Sequence, residues 1–176
     1  MDNLKKIQTI MKVLRIITKI AFVACIVGGA LCLLSLLLLF LGDVMGLVGV
    51  EVAKSMISPK DISLSVAYCA VLVGLCQTIF GALITHKWNR YYKMEEEDGT
   101  PFMEESAKYL FSTAIYELIM GFVAFIVSTV IVAVFEVTHA DVNFPQDIKF
   151  SFDAATVLFT LFLSLVFKYG AEVSEK

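Results

Sequence analysis

Glu117 is the residue whose setting most invites chemistry, because it interrupts an otherwise uncharged run from Tyr109 to Phe135. An ionisable side chain inside a bilayer costs about 2.5–3.5 kcal/mol on insertion scales, so it turns toward the bundle interior, water or a polar neighbour. Depth selects Gln77 as that neighbour. Gln77 lies eight residues before Thr85, where one apolar run ends, and Glu117 lies eight residues beyond Tyr109, where another begins. At 1.5 Å per residue both lie about 12 Å into the membrane. An amide donates to a carboxylate or accepts from a carboxylic acid, so the two form an expected hydrogen-bonding pair. Thr78 beside Gln77, with Thr113 and Tyr116 on the Glu117 segment, completes an intramembrane polar cluster. Such a carboxyl group either carries a proton or cation, or ties two helices together as a neutral acid. The structural role is preferred, because no second intramembrane charge accompanies it.

Other reactive side chains lack partners at useful spacing. Cys25, Cys32, Cys69 and Cys76 form seven-residue pairs inside two apolar runs, with no CxxC or Cys/His ligand pattern, so they read as small packing residues rather than a metal site. The acidic run Glu95, Glu96, Glu97 and Asp98 lacks the alternating ligand spacing of a calcium loop and reads as a solvated charged turn. No nucleophile has an evident base beside it, so no catalytic residue and no cofactor is expected.

These residues require a membrane scaffold. Of 176 residues, 59% are hydrophobic and 18% charged, with a mean hydropathy of +0.82, which excludes a soluble globular domain. Residues 20–42 give 23 uncharged positions and residues 62–85 give 24, each enough for a span of about 20 residues. A third span covers about 109–135. The fourth, about 152–170, has an uncharged core of 14 residues, extended by Ile148, Phe150 and Phe152 before it and by a snorkelling Lys168 and interfacial Tyr169 after it. The first run exceeds the roughly 7–15 apolar residues of a signal-peptide core, so it is an uncleaved anchor. The myristoylation and prenylation patterns are both absent. The expected fold class is all-α: a single integral membrane domain over 1–176 with four transmembrane helices, an N-terminal amphipathic basic helix, a cytoplasmic loop at 86–108 and an extended third helix.

Charge sets the orientation. Eleven Lys and Arg residues fall in the N-terminal, middle and C-terminal segments, against Lys54, Lys60 and Lys149 on the opposite side. The positive-inside rule therefore places both termini and the middle loop in the cytoplasm. His86 and His139 then lie on opposite sides of the membrane and cannot share a site.

At the N-terminus, Leu4, Ile7, Met11, Leu14 and Ile17 follow helical spacing, while Lys5, Lys12 and Lys19 recur every seven residues. This basic helix is expected to lie on anionic lipid, or else to continue the first span into the cytoplasm. Just below span two, Trp88, Arg90, Tyr91 and Tyr92 read as membrane-interface anchors, with Lys168 in the same role at the end of span four. The neighbouring Glu95 to Asp98 run would repel phosphates, so direct nucleic-acid binding is not expected. Thr100 is placed to cap the third helix, Pro101 suits its first position, and Glu104 and Glu105 favour its dipole. From Thr100 to Phe135 such a helix has 36 residues and runs about 54 Å, beyond a bilayer core of about 30 Å. Small residues Ala24, Gly28 and Cys32, with Ala70 and Gly74, let spans one and two approach closely.

Two short stretches carry a family resemblance. The run GTPF at Gly99 to Phe102, opening a helix after an acidic turn, and VFKYGAEV at Val166 to Val173 resemble the middle loop and C-terminal signature of the bacterial membrane proteins grouped as domain of unknown function 2975. Members continue past that signature into a short acidic and polar tail, whereas this sequence stops at Lys176. The resemblance implies four spans in a bacterial cytoplasmic membrane and, by analogy, a small helix-turn-helix regulator as partner. The first expected function is therefore non-enzymatic sensing or relay of a membrane condition to a cytoplasmic partner, through Tyr91 to Glu105. Glu95, Glu96, Glu97, Asp98, Glu104 and Glu105 are the candidate partner-binding residues. The alternative is a small transporter or immunity-type protein with a pathway through Glu117. The lipid bilayer and a second copy of the chain, in a homo-oligomer, complete the expected partners.

Overall fold

A computed structural model describes residues 2–45, 63–98, 103–139 and 154–174. They form four helices: α1 Asp2–Met45, α2 Leu64–Asp98, α3 Glu104–Thr138 and α4 Ala154–Ser174. The chain is all-helical in these residues, and α1, α2 and α3 are each long and apolar enough to cross a membrane. With 44, 35 and 35 residues they run about 66, 52 and 52 Å, well past the hydrocarbon thickness of about 30 Å. The expected cap at Thr100 and Pro101 lies outside the described residues, and the described part of α3 opens at Glu104.

Two expectations about the helices change. The basic N-terminal segment is not a separate surface helix, because α1 is continuous from Asp2 through the apolar run. Continuing costs nothing at a boundary where no Gly or Pro intervenes between Asp2 and Val27. Likewise α2 does not stop at Thr85 but runs to Asp98, so the acidic residues form its last turns rather than a solvated turn. Acidic side chains there oppose the helix dipole, and nearby cations offset them: Lys93 pairs with Glu97 at 3.6 Å and Arg15 with Glu96 at 2.5 Å.

The chain divides into two compact units, the first built from 1–24, 81–122 and 152–176, the second from 25–80 and 123–151. In the first unit α1 turns one face of mixed polar and apolar residues inward. Met11, Leu14, Arg15 and Thr18 are half-buried, whereas Ile10, Val13, Ile16, Ile17 and Ile20 are bare, Ile20 with 64% of its surface open. In water this arrangement would be costly; in lipid it is the expected one, because aliphatic side chains gain nothing by leaving hydrocarbon. α3 and α4 bury mostly small and hydroxylated residues along one face each: Ser106, Ala107, Thr113 and Ala114, with Leu110, on α3, and Val157, Thr160, Ser164 and Ala171 on α4.

The second unit packs on small residues. A side chain added at Gly28 would come within 3.1 Å of the Thr78 methyl, one at Gly29 within 3.3 Å of its hydroxyl, and one at Gly74 within 3.4 Å of Cys32 Sγ. The small-residue approach of spans one and two is therefore real at Gly28, Cys32 and Gly74. Leu39, Ala67 and Val71 form one apolar cluster there, and Cys69, Val73 and Val132 another. Ser128 Oγ lies 3.6 Å from Cys76 Sγ, and all four cysteines are free thiols.

Candidate polar and aromatic site of the first unit

The site grows from two helix faces. On α2, Lys87, Trp88, Tyr91, Tyr92 and Glu95 recur at three- and four-residue intervals and so share one side of the helix; on α3, Ser106, Tyr109, Thr113, Tyr116 and Glu117 do the same. Trp88 Nε1 donates to Glu117 Oε2 at 3.2 Å. An indole has a donor and no acceptor, and a carboxylate within an apolar stretch needs donors, so each satisfies the other. The Trp88 ring stacks on Tyr92 at 5.5 Å and meets Tyr91 edge-on at 5.8 Å. Tyr91 in turn stacks on Tyr109 at 6.4 Å.

A cation sits among these rings. Lys87 Nζ lies 4.8 Å from the centre of the Tyr109 ring and 5.7 Å from that of Tyr116. The faces of both rings carry partial negative charge, which favours the ammonium once water is withdrawn. Burial, then the nearby Glu95 carboxyl, pushes the Tyr91 phenol far above its ordinary range. Burial, then Glu117, pushes Tyr92 up as well. Both phenols therefore stay protonated and serve as neutral dipoles.

The sequence-selected residues divide between the units. Thr113, Tyr116 and Glu117 fall in the first, Gln77 and Thr78 in the second. Gln77 is exposed, and the hydroxyl of Thr78 donates to the carbonyl of Leu75 at 2.9 Å. Thr113 is buried and donates to the carbonyl of Tyr109 at 2.9 Å. The donor to Glu117 is Trp88, eleven residues further along α2 than Gln77. Depth counted from apolar boundaries missed it, because α2 stays helical beyond those boundaries. The three-four spacing of Trp88, Tyr91, Tyr92 and Glu95 was the available signal.

The other expected roles redistribute too. Tyr91 keeps only 3% of its surface open and so faces the bundle rather than the headgroups. Arg90 and Lys168 are exposed. Among the residues expected to meet a partner, Glu95 is buried with 2% of its surface open, Glu96 is held by Arg15, and Glu104 pairs with Lys108 at 2.7 Å. Glu97 and Glu105 are exposed, and the side chain of Asp98 lies outside the described residues. Among the described residues no three His, Cys, Asp or Glu side chains gather to hold a metal.

No family model, curated protein or solved structure matches the chain. The arrangement itself must therefore indicate what the site does. A carboxylate, an ammonium and five aromatic rings stabilise one another's charges and dipoles in a water-poor setting. That is a fixed polar joint between α2 and α3.

Proposed function

We propose that the protein is a non-enzymatic, four-span protein of a bacterial cytoplasmic membrane that relays a membrane condition to a cytoplasmic partner. α4 is the proposed fourth span, supported by its bare Leu158, Phe159, Phe162 and Leu165. Its 21 residues give about 31 Å, close to one hydrocarbon thickness. Both termini and the α2–α3 connection face the cytoplasm in this reading, by the distribution of Lys and Arg. The resemblance at GTPF and VFKYGAEV supports the bacterial setting and a small regulator as partner.

The observation that carries the reading is the Trp88–Glu117 hydrogen bond. A carboxylate that shuttles ions exchanges donors during its cycle, whereas one gripped by an indole within stacked rings serves to hold helices in register. The joint makes the α2–α3 pair rigid, and rigid elements transmit a displacement rather than absorb it.

Two measurements test this. Proton flux into reconstituted vesicles is expected to be the same for the wild type and Glu117→Gln; a pH-driven flux abolished by that change would establish the transport alternative instead. Impermeant labelling of single cysteines placed at either end of a cysteine-free chain is expected only after inverted or opened membranes are used. Labelling of intact cells at either terminus would overturn the orientation.

A further inference from the structure

The first two helices each carry charges of the wrong sign for their own dipole. The start of α1, where the dipole is positive, holds Lys5 and Lys6, with Lys12 and Arg15 further along; the last turn of α2, where it is negative, holds Glu95, Glu96, Glu97 and Asp98. A cross-helix ion pair joins them, Arg15 to Glu96 at 2.5 Å. Arg15 turns inward, and its Nε is buried without a hydrogen bond among the described residues. Its fork is thus only partly used, through one terminal nitrogen on one carboxylate oxygen.

Around this pair the surface has two chemistries in contact. Lys12 and Lys19, three residues before and four after Arg15, lie exposed on the same side of α1. The hydrogen bond from Arg15, then the fields of Arg15, Lys12 and Lys19, hold the Glu96 carboxyl below the usual carboxylate range. Directly beside them, Ile16, Ile20 and Val23 are bare, each with half or more of its surface open. Clustered cations bordering exposed aliphatic side chains match a molecule with an anionic head and hydrocarbon tails. A soluble acidic peptide or free phosphate would leave the aliphatic half of that surface in water.

We infer that Lys12, Arg15 and Lys19 form a headgroup site for an anionic phospholipid, and that Glu96 is the internal carboxylate occupying it until such a lipid displaces it from Arg15. The inference rests on the membrane-relay reading and gives it a specific input, the anionic lipid content of the leaflet that α1 enters. When lipid phosphate takes Arg15, the N-terminal turns of α1 lose their ionic hold on α2. The acidic end of α2 is then released to the aqueous side.

The test compares lipids retained by the full chain, purified from micelles containing phosphatidylglycerol and phosphatidylcholine in equal amounts and weighed intact by native mass spectrometry. Glu96→Gln is expected to raise phosphatidylglycerol retention severalfold and leave phosphatidylcholine unchanged, because the competing carboxylate is gone. The double change Lys12→Gln and Lys19→Gln leaves the Arg15–Glu96 pair intact, so it guards against misfolding. At about fivefold per cation near an anionic surface, it is expected to bring phosphatidylglycerol down toward the phosphatidylcholine level. Unchanged selectivity in Glu96→Gln, or undiminished retention in the lysine pair, overturns the proposal. Displacement of the lipid by millimolar inorganic phosphate overturns the choice of ligand. These outcomes are independent of vesicle flux and terminal labelling, so failure here is distinguishable from failure of the relay reading.

Discussion

Trp88 and Glu117 are joined by a 3.2 Å hydrogen bond from the indole nitrogen to a carboxylate oxygen, linking α2 to α3 where an apolar stretch surrounds the acid. An indole N–H needs an acceptor and a carboxyl group accepts, so the pair ties the two helices at this level. The tyrosines stacked on Trp88 hold its ring plane and therefore the direction of its N–H.

Trp88→Phe keeps the aromatic bulk and deletes the donor. A hydrogen bond to a charged group contributes about 1.5–3 kcal/mol, and a loss of that size is expected in thermal unfolding followed by helical circular dichroism in detergent. Glu117→Gln keeps an acceptor for the indole and is expected to cost less than Trp88→Phe. Equal stability of the Trp88→Phe protein and the wild type would show that the bond contributes nothing to folding.

The Arg15–Glu96 pair should respond to acid. Glu96 lies beyond the apolar part of α2, and its hydrogen bond to Arg15 lowers its carboxyl from the ordinary range. A carboxyl lowered in the folded state adds stability above its unfolded value and loses that stability as pH falls through the folded one. Carbon-detected NMR of the Glu96 carboxyl is expected to show a midpoint below the ordinary glutamate range, and Arg15→Gln should move it upward. A midpoint unaffected by Arg15→Gln would mean the ion pair does not persist in solution.

Close approach of α1 and α2 in the second unit depends on Gly28. Its added Cβ would meet the Thr78 methyl at 3.1 Å, a contact that Ala could survive by a small shift. Gly28→Leu cannot be accommodated in that way, and overpacking of this kind costs about 1–3 kcal/mol. Reduced resistance to denaturing detergent is the expected readout, with Gly28→Ala intermediate; full resistance in Gly28→Leu would show that the helices separate without penalty.

The sequence by itself determined that this is a helical membrane chain, because uncharged runs such as 20–42 and 62–85 can satisfy their backbone in lipid only as helices. It also singled out Glu117, since a lone carboxylate among apolar residues is visible without coordinates. The small residues Gly28, Cys32 and Gly74 were legible for the same reason: spacing on one helix is a local property. What only tertiary structure decided was who meets whom. Trp88 rather than a depth-matched amide donates to Glu117, Tyr91 faces inward, and Arg15 meets a carboxylate 81 residues away. Those outcomes depend on α2 remaining helical past its apolar boundary, which is set by packing and ion pairs contributed by other helices. Hydropathy marks where lipid ends, and it carries no information about where a helix supported by its neighbours will stop.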